Sequence, residues 1–282
     1  MALVPTGTLV DDARRRGHGI AAFNVITLEH AEAIVAGAES VAGPIILQVS
    51  QNAVQYHGGN PLPIARATAA VAESSTVPVA LHLDHVESRE LLYRAAEAGF
   101  SSVMYDAAAL NHEDNICATR QAAEWAHRQG LWIEAELGQV GGKDGAHTPG
   151  VRTDPGAARD YVTRTGVDAL AVAVGSSHAM TTRSARLDLR LIRELRDALQ
   201  VPLVLHGSSG VSAPDLAAAV ADGMVKINIG TMLNIAFTDA VRIELDRSPE
   251  LVDPRRYLTW ARERIADVVA ELLPVLTVPL TS

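Results

Sequence analysis

Eight short apolar runs recur along the chain, and most of them close on a polar or ionisable residue. They occupy residues 19–24, 45–49, 78–85, 102–106, 131–136, 169–174, 201–206 and 224–229. Runs of this length that are apolar at nearly every position read as strands buried on both faces, as in a parallel sheet. Segments of helical period lie between them. In residues 28–41, Ala31, Ile34, Val35 and Ala38 form one apolar stripe before Gly43-Pro44 stops the helix. Further helical segments are expected from Pro61 to about Ser75 and over 88–97, 111–129, 153–166, 187–199 and 231–245, and a short one around Asp11-Asp12 precedes the first run. Thr153-Asp154-Pro155 places proline where the first turn of a helix tolerates it. Residues 51–60 read as a loop, and the glycine-rich stretch Gly138 to Gly145 as either a mobile active-site loop or a plain solvent loop. Strand and helix alternating eight times is the pattern of a (β/α)8 barrel, with 1–282 as a single domain.

The pattern outlasts the barrel. Residues 249–282 form a C-terminal helical extension in which Leu258, Ala261, Ile265, Val268 and Leu272 share one face. That stripe needs cover, from the barrel's own outer helices or from a second subunit.

Composition narrows the function more than the fold. Of the 282 residues 48% are hydrophobic and only 4% aromatic, so the core must be packed from Ala, Val, Leu and Ile. A formal net charge of -9, with no basic run beyond Arg14-Arg15-Arg16, argues against a nucleic-acid partner. No run approaches the roughly 20 apolar residues of a membrane span. With one cysteine, Cys117, and no recognisable secretion signal at the start, the expected location is the cytoplasm.

The polar ends of the strands carry the chemistry. In parallel barrels the carboxyl ends of the strands form the functional face. Here they supply Asn24, Ser50, Asp84, His85, Asp106, Glu136, His178, His206 and Asn228. His85, His178 and His206 end the third, sixth and seventh runs, and three imidazoles binding Zn²⁺ leave one coordination position open for substrate. The carboxylates of Asp106 and Glu136 are secondary candidates beside them. Gly207-Ser208-Ser209-Gly210 and Asn228-Ile229-Gly230-Thr231 follow the seventh and eighth runs, where many barrels hold a phosphate on backbone N–H groups and hydroxyls.

Between about Gly19 and Arg255 the chain also resembles the class II, metal-dependent ketose-bisphosphate aldolases, of fructose- and tagatose-bisphosphate type. The likeness rests on Ala22-Phe23-Asn24, His82-Leu83-Asp84-His85, Glu134-Ala135-Glu136-Leu137-Gly138 with Gly141-Gly142, Thr153-Asp154-Pro155, Gly166-Val167-Asp168, Leu205-His206-Gly207 with Ser209, Lys226-Ile227-Asn228 and Asp253-Pro254-Arg255. The resemblance implies that His85, His178 and His206 ligate Zn²⁺, that Gly207, Ser209, Asn228 and Thr231 hold dihydroxyacetone phosphate, and that Arg255 reaches a second phosphate across a subunit boundary. It implies a homodimer or homotetramer acting on a small sugar phosphate, with a monovalent cation as a further candidate ligand. Asp84 would then move the proton of the hydroxyl on the aldehyde half, and Asp144 the proton on the ketone half. For Asp84 the alternative is to orient an imidazole; for Asp144 the rival is His147.

The sequence departs from that family's usual residues at Val86, Ala107, Ala108, Asp144, Ala179 and Gly230. None of these is an expected metal ligand. A sugar-phosphate epimerase or isomerase, which needs the same phosphate grip and enediolate, and a metal-holding barrel used for binding remain alternatives on sequence.

Overall fold

The computed structural model describes residues 2–137, 151–176 and 185–277. Eight parallel strands close into a barrel in chain order, each paired with its neighbours in sequence: β1 (Ile20–Asn24), β2 (Ile45–Ser50), β3 (Val79–Val86), β4 (Ser102–Tyr105), β5 (Trp132–Glu136), β6 (Ala169–Ala171), β7 (Leu203–Leu205) and β8 (Met224–Ile229), which pairs back to β1. The helices are α1 (Thr6–Arg16), α2 (Leu28–Ser40), α3 (Gln51–Tyr56), α4 (Pro61–Glu73), α5 (Arg89–Leu92), α6 (His112–Arg128), α7 (Pro155–Thr165), α8 (Leu189–Ala198), α9 (Ala213–Asp222), α10 (Thr231–Arg247) and α11 (Pro254–Thr277). This is the (β/α)8 architecture that the alternating runs predict.

Period-two alternation sorts each strand into two faces. Outward residues such as Phe23, Leu47, Leu81, Val103, Ile133 and Ile227 join the helices in one large apolar cluster. Inward residues build the barrel interior in layers. At its lower end Ile20, Ala22, Ile46, Ala80 and Val225 pack against Leu9, Val10 and Ala13 of α1, which plugs the barrel. Further along, the inward positions become Asn24, Gln48 and His82, with Glu134 of β5 and Lys226 of β8, where the pairing with β7 shifts by one residue just after Met224. A dry, plugged floor thus supports a polar interior that rises to the mouth.

Several elements differ from the sequence reading, among them α9, which no expected segment covers. The expected loop at 51–60 contains α3, because the Ser50 hydroxyl caps it by accepting from the Ala53 N–H at 3.1 Å and Ala53 and Val54 are buried beneath it. The expected helix over 88–97 is regular only for Arg89–Leu92 and continues as turns to Gly99, which takes φ 90°. β6 and β7 are three residues each, so His206 stands just beyond its strand.

The C-terminal stripe is covered by its own chain. Along α11, Ala261, Ile265 and Leu272 are buried and Val268 packs against the main core, with α2, α10 and α9 alongside. α2 accommodates this helix at Gly37, where a Cβ would lie 2.5 Å from the Ala266 carbonyl oxygen and 2.8 Å from Val269 Cβ. Backbone cannot yield as a side chain can, so Gly37→Ala is expected to destabilise the fold by about 1–3 kcal/mol. Urea unfolding measures this, and an unchanged midpoint would show that α11 docks differently. No helix among the described residues is long and apolar enough to cross a membrane.

Candidate active site

A regular strand would send Asp84 and His85 to opposite faces. Instead β3 carries one extra residue between Leu83 and Val86 relative to β4, and His85 takes φ 49°. A left-handed non-glycine residue is costly and persists only where its surroundings hold it. The bulge brings both side chains to the same cavity.

There His85 meets His206. His85 Nε2 and His206 Nδ1 are 3.1 Å apart, with the two rings nearly perpendicular. Each ring is held at its other nitrogen by a carboxylate: His85 Nδ1 lies 3.3 Å from Asp106 Oδ2, and His206 Nε2 lies 2.9 Å from Glu134 Oε1. An ionised carboxylate only accepts, so those nitrogens carry protons; in the neutral form of both rings the remaining lone pairs, His85 Nε2 and His206 Nδ1, point at one another. Burial pulls the His85 imidazolium down, but Asp84 and Asp106 outweigh it and raise its pKa to about 9. The surrounding carboxylates therefore favour positive charge at this ring, as a second proton on Nε2 or as a cation that takes its place.

That arrangement fits a divalent cation. Asp84, His85 and His206 bring ligand atoms within 4.8 Å of one another, as do His85, Asp106 and Glu136. Imidazole nitrogen joined by carboxylate oxygen is a donor set suited to Zn²⁺. The third expected ligand, His178, lies outside the described residues, as do Asp144 and His147.

Asp84 is 1% exposed, so its charge state is set by its neighbours. Burial alone would favour the neutral acid; His85, His82 and Lys226 override it and hold the carboxyl well below its ordinary range. Gln48 Nε2 and Asn228 Nδ2 approach its two oxygens at 3.3 and 3.4 Å. Asp84 is thus an anion at the cavity wall, able to take a proton.

Beneath it lies a layer of residues that stand before the strand ends. Lys226 Nζ is 2.8 Å from Glu134 Oε2 and donates to Asn228 Oδ1 at 2.7 Å, with Lys226 and Glu134 both fully buried. Burial would raise the Glu134 pKa; Lys226 and His206 instead bring it to about 2. Ser102 donates to Thr6 Oγ1 at 2.6 Å, so it accepts from His82 Nδ1 at 2.7 Å. The signal for Gln48, His82, Glu134 and Lys226 was present in the sequence. Each stands two residues before a strand-end site residue (Ser50, Asp84, Glu136 and Asn228), and the period of two puts them on the same inward face.

Above this layer opens a cavity of about 870 Å³ that brings together Asn24, Ser50, Asp84, His85, Asp106, Gly207, Ser209, Asn228 and Thr231, as the strand-end reading expects. Gly207 takes φ 68°, a left-handed turn just before the short helical turn Ser208–Gly210. Ser209 Oγ accepts the Met232 N–H at 3.0 Å, which ties this loop to the first turn of α10. At Gly230 a Cβ would sit 3.1 Å from Asn24 Cγ, so a side chain there would push Asn24 out of place. Glu136 is buried close to His85 and Asp106 but does not line the cavity. Arg255 is not part of the cavity wall either. It stands exposed at the start of α11, where its guanidinium grips Asp253 through Nη2–Oδ2 at 2.7 Å and Nε–Oδ1 at 3.0 Å.

A parallel barrel whose mouth gathers imidazoles, an anionic carboxylate and a glycine-serine rim is the frame of a metal-dependent lyase. The model of the family described as fructose-bisphosphate aldolase class-II matches residues 4–278. A probable fructose-bisphosphate aldolase of Bacillus subtilis and a fructose-bisphosphate aldolase of Geobacillus stearothermophilus are each 39% identical over 272 residues, covering 95% of both chains. Among solved structures, the YdjI aldolase of Escherichia coli superposes with a TM-score of 0.86 at 32% identity, covering 97% of each chain. The chain belongs to the class II fructose-bisphosphate aldolase family, and it is an enzyme of the lyase class.

Proposed function

We propose that the protein is a Zn²⁺-dependent aldolase that cleaves or forms a ketose phosphate by way of dihydroxyacetone phosphate. The family supports aldol cleavage of a ketose bisphosphate. The observation that carries the reading to this chain is the approach of His85 Nε2 and His206 Nδ1 to 3.1 Å of one another beside anionic Asp84. His85, His206 and the undescribed His178 would hold the cation. When bound, it supplies Lewis-acid stabilisation of the negative charge that builds on the ketone oxygen during cleavage.

The remaining steps belong to side chains. Gly207, Ser209, Asn228 and Thr231 orient the substrate through its phosphate, with the N-terminus of α10 opening on the same space. Asp84 takes the proton from the hydroxyl on the aldehyde half as the carbon–carbon bond breaks and that carbon becomes a carbonyl. The bonding pair passes to the ketone half as an enediolate, and a proton delivered to its carbon completes dihydroxyacetone phosphate. Asp144 is the proposed donor. Asp144→Ala is expected to lower kcat for proton exchange at near-constant KM, whereas the same defect in His147→Ala and none in Asp144→Ala would move the role to His147.

The assembly proposed is a homodimer or homotetramer in which Arg255 of one subunit approaches the mouth of another. Because the α11 stripe is covered within its own chain, a contact would have to use other surface. Assaying the metal-loaded protein against fructose and tagatose bisphosphates, before and after chelation, tests the reading. Activity expected with metal should disappear with chelator and return with Zn²⁺; cleavage that survives full removal of metal would overturn it.

A further inference from the structure

Gln51 joins β2 to α3 and uses both ends of one amide. Its Oε1 accepts the backbone N–H groups of Glu87 and Ser88 at 3.1 and 3.0 Å, which pins the chain just past the strand that carries Asp84 and His85. An amide whose oxygen is engaged in this way turns its NH₂ the other way, and Gln51 lines the cavity. Next to it the Ser50 hydroxyl accepts the Ala53 N–H at 3.1 Å and keeps its own proton to donate on the same wall. This wall stands across the mouth from the loops assigned to dihydroxyacetone phosphate. Gly207 and Ser209 follow β7, whereas Gln51 follows β2 and is tied to the end of β3, the strand opposite β7 in a barrel closed in chain order. A substrate held by one phosphate at the first place runs past Asp84 toward the second.

We propose that the Gln51 NH₂ donates a hydrogen bond to the phosphate on the aldehyde half of a ketose bisphosphate, which makes Gln51 a residue that selects phosphorylated aldehydes. The inference rests on the aldolase reading and adds one contact to it. A free glutamine would have to give up rotamer freedom to hold a ligand; this one is already ordered by the two N–H groups at its oxygen, so its donor is in place before the substrate arrives. Division of labour follows from its neutrality. Arg255, proposed to come from a second subunit, meets the phosphate charge and offsets the Glu87 carboxylate that shares this wall, while Gln51 fixes where the phosphate sits relative to Asp84.

The experiment compares the full-length Zn²⁺-loaded protein with its Gln51→Met and Gln51→Glu variants. In each, KM is measured for cleavage of fructose or tagatose bisphosphate, whichever the parent cleaves faster, and for dihydroxyacetone phosphate in proton exchange with solvent. The ratio of the two isolates the aldehyde half, so damage to the site as a whole cancels. Gln51→Met removes the donor, and the ratio is expected to rise about tenfold. In Gln51→Glu one carboxylate oxygen can still accept both loop N–H groups while the other turns negative charge toward the phosphate, and the ratio is expected to rise about 100-fold. The order of the two variants decides the matter. A ratio unchanged in Gln51→Glu, or raised more in Gln51→Met than in Gln51→Glu, would show that Gln51 only anchors the end of β3 and would overturn the inference. Exchange in the parent without cleavage of either bisphosphate overturns it as well. A parent that shows neither exchange nor cleavage means that the aldolase reading has failed, and this inference with it.

Discussion

Asp84→Asn is expected to lower kcat for cleavage by about 10²–10⁴-fold while proton exchange on dihydroxyacetone phosphate stays measurable. The substitution keeps the shape of a buried side chain and removes its ability to accept a proton. Some stability is expected to be lost as well, because Gln48 and Asn228 approach the carboxylate at 3.3 and 3.4 Å and His85, His82 and Lys226 favour its charge, so the rates are compared on protein shown to be folded. The split between the two reactions is informative. Removing the hydroxyl proton is needed only when the carbon–carbon bond breaks or forms; exchange on the ketone half can proceed without it. Cleavage and exchange falling together, with reduced metal content, would instead show that Asp84 acts by holding the metal site. A parent enzyme that exchanges protons but yields no aldehyde from any ketose phosphate would point to an isomerase.

The barrel was legible because burial on both faces of a parallel sheet leaves eight apolar runs that nothing else in the chain imitates. What stayed hidden was local. α3 has too few residues to display a helical period, and it forms because Ser50 caps it and two small side chains find cover. The cover chosen by the α11 stripe could not be read from the stripe itself; it depends on Gly37, far away in sequence, leaving room for the Ala266 carbonyl.

At the site, the strand-end rule located the residues that face the cavity but not the way they are held. Alternation alone would have separated Asp84 from His85. Their convergence needs a bulge and a left-handed His85, neither of which has a signature in Leu83-Asp84-His85-Val86. By contrast, the buried layer was readable. Lys226 inside an apolar run, in phase with Asn228, would be costly unless it had a partner within the barrel, and Glu134, in phase with Glu136, is that partner.

Glu134 should prove to be the residue on which stability and metal affinity meet. Its Oε2 is 2.8 Å from Lys226 Nζ and its Oε1 is 2.9 Å from His206 Nε2, so one carboxylate neutralises a buried ammonium and fixes the ring that turns Nδ1 toward His85. Glu134→Gln leaves Lys226 without its counter-charge and is expected to destabilise the fold by about 3–5 kcal/mol. It is also expected to weaken Zn²⁺ binding by about 10–100-fold, because the imidazole loses the carboxylate that orients it and raises its basicity. The double substitution Glu134→Gln with Lys226→Met separates the two roles. Replacing the ammonium by an apolar chain of similar length removes the unpaired charge, so most of the lost stability should return. Zn²⁺ affinity should not return, since a neutral amide in place of the carboxylate cannot supply the negative charge that His206 loses. Chemical denaturation and competition with a metallochromic chelator measure the two quantities independently. Joint recovery of stability and affinity in the double variant would show that Glu134 influences the metal only by keeping the barrel folded.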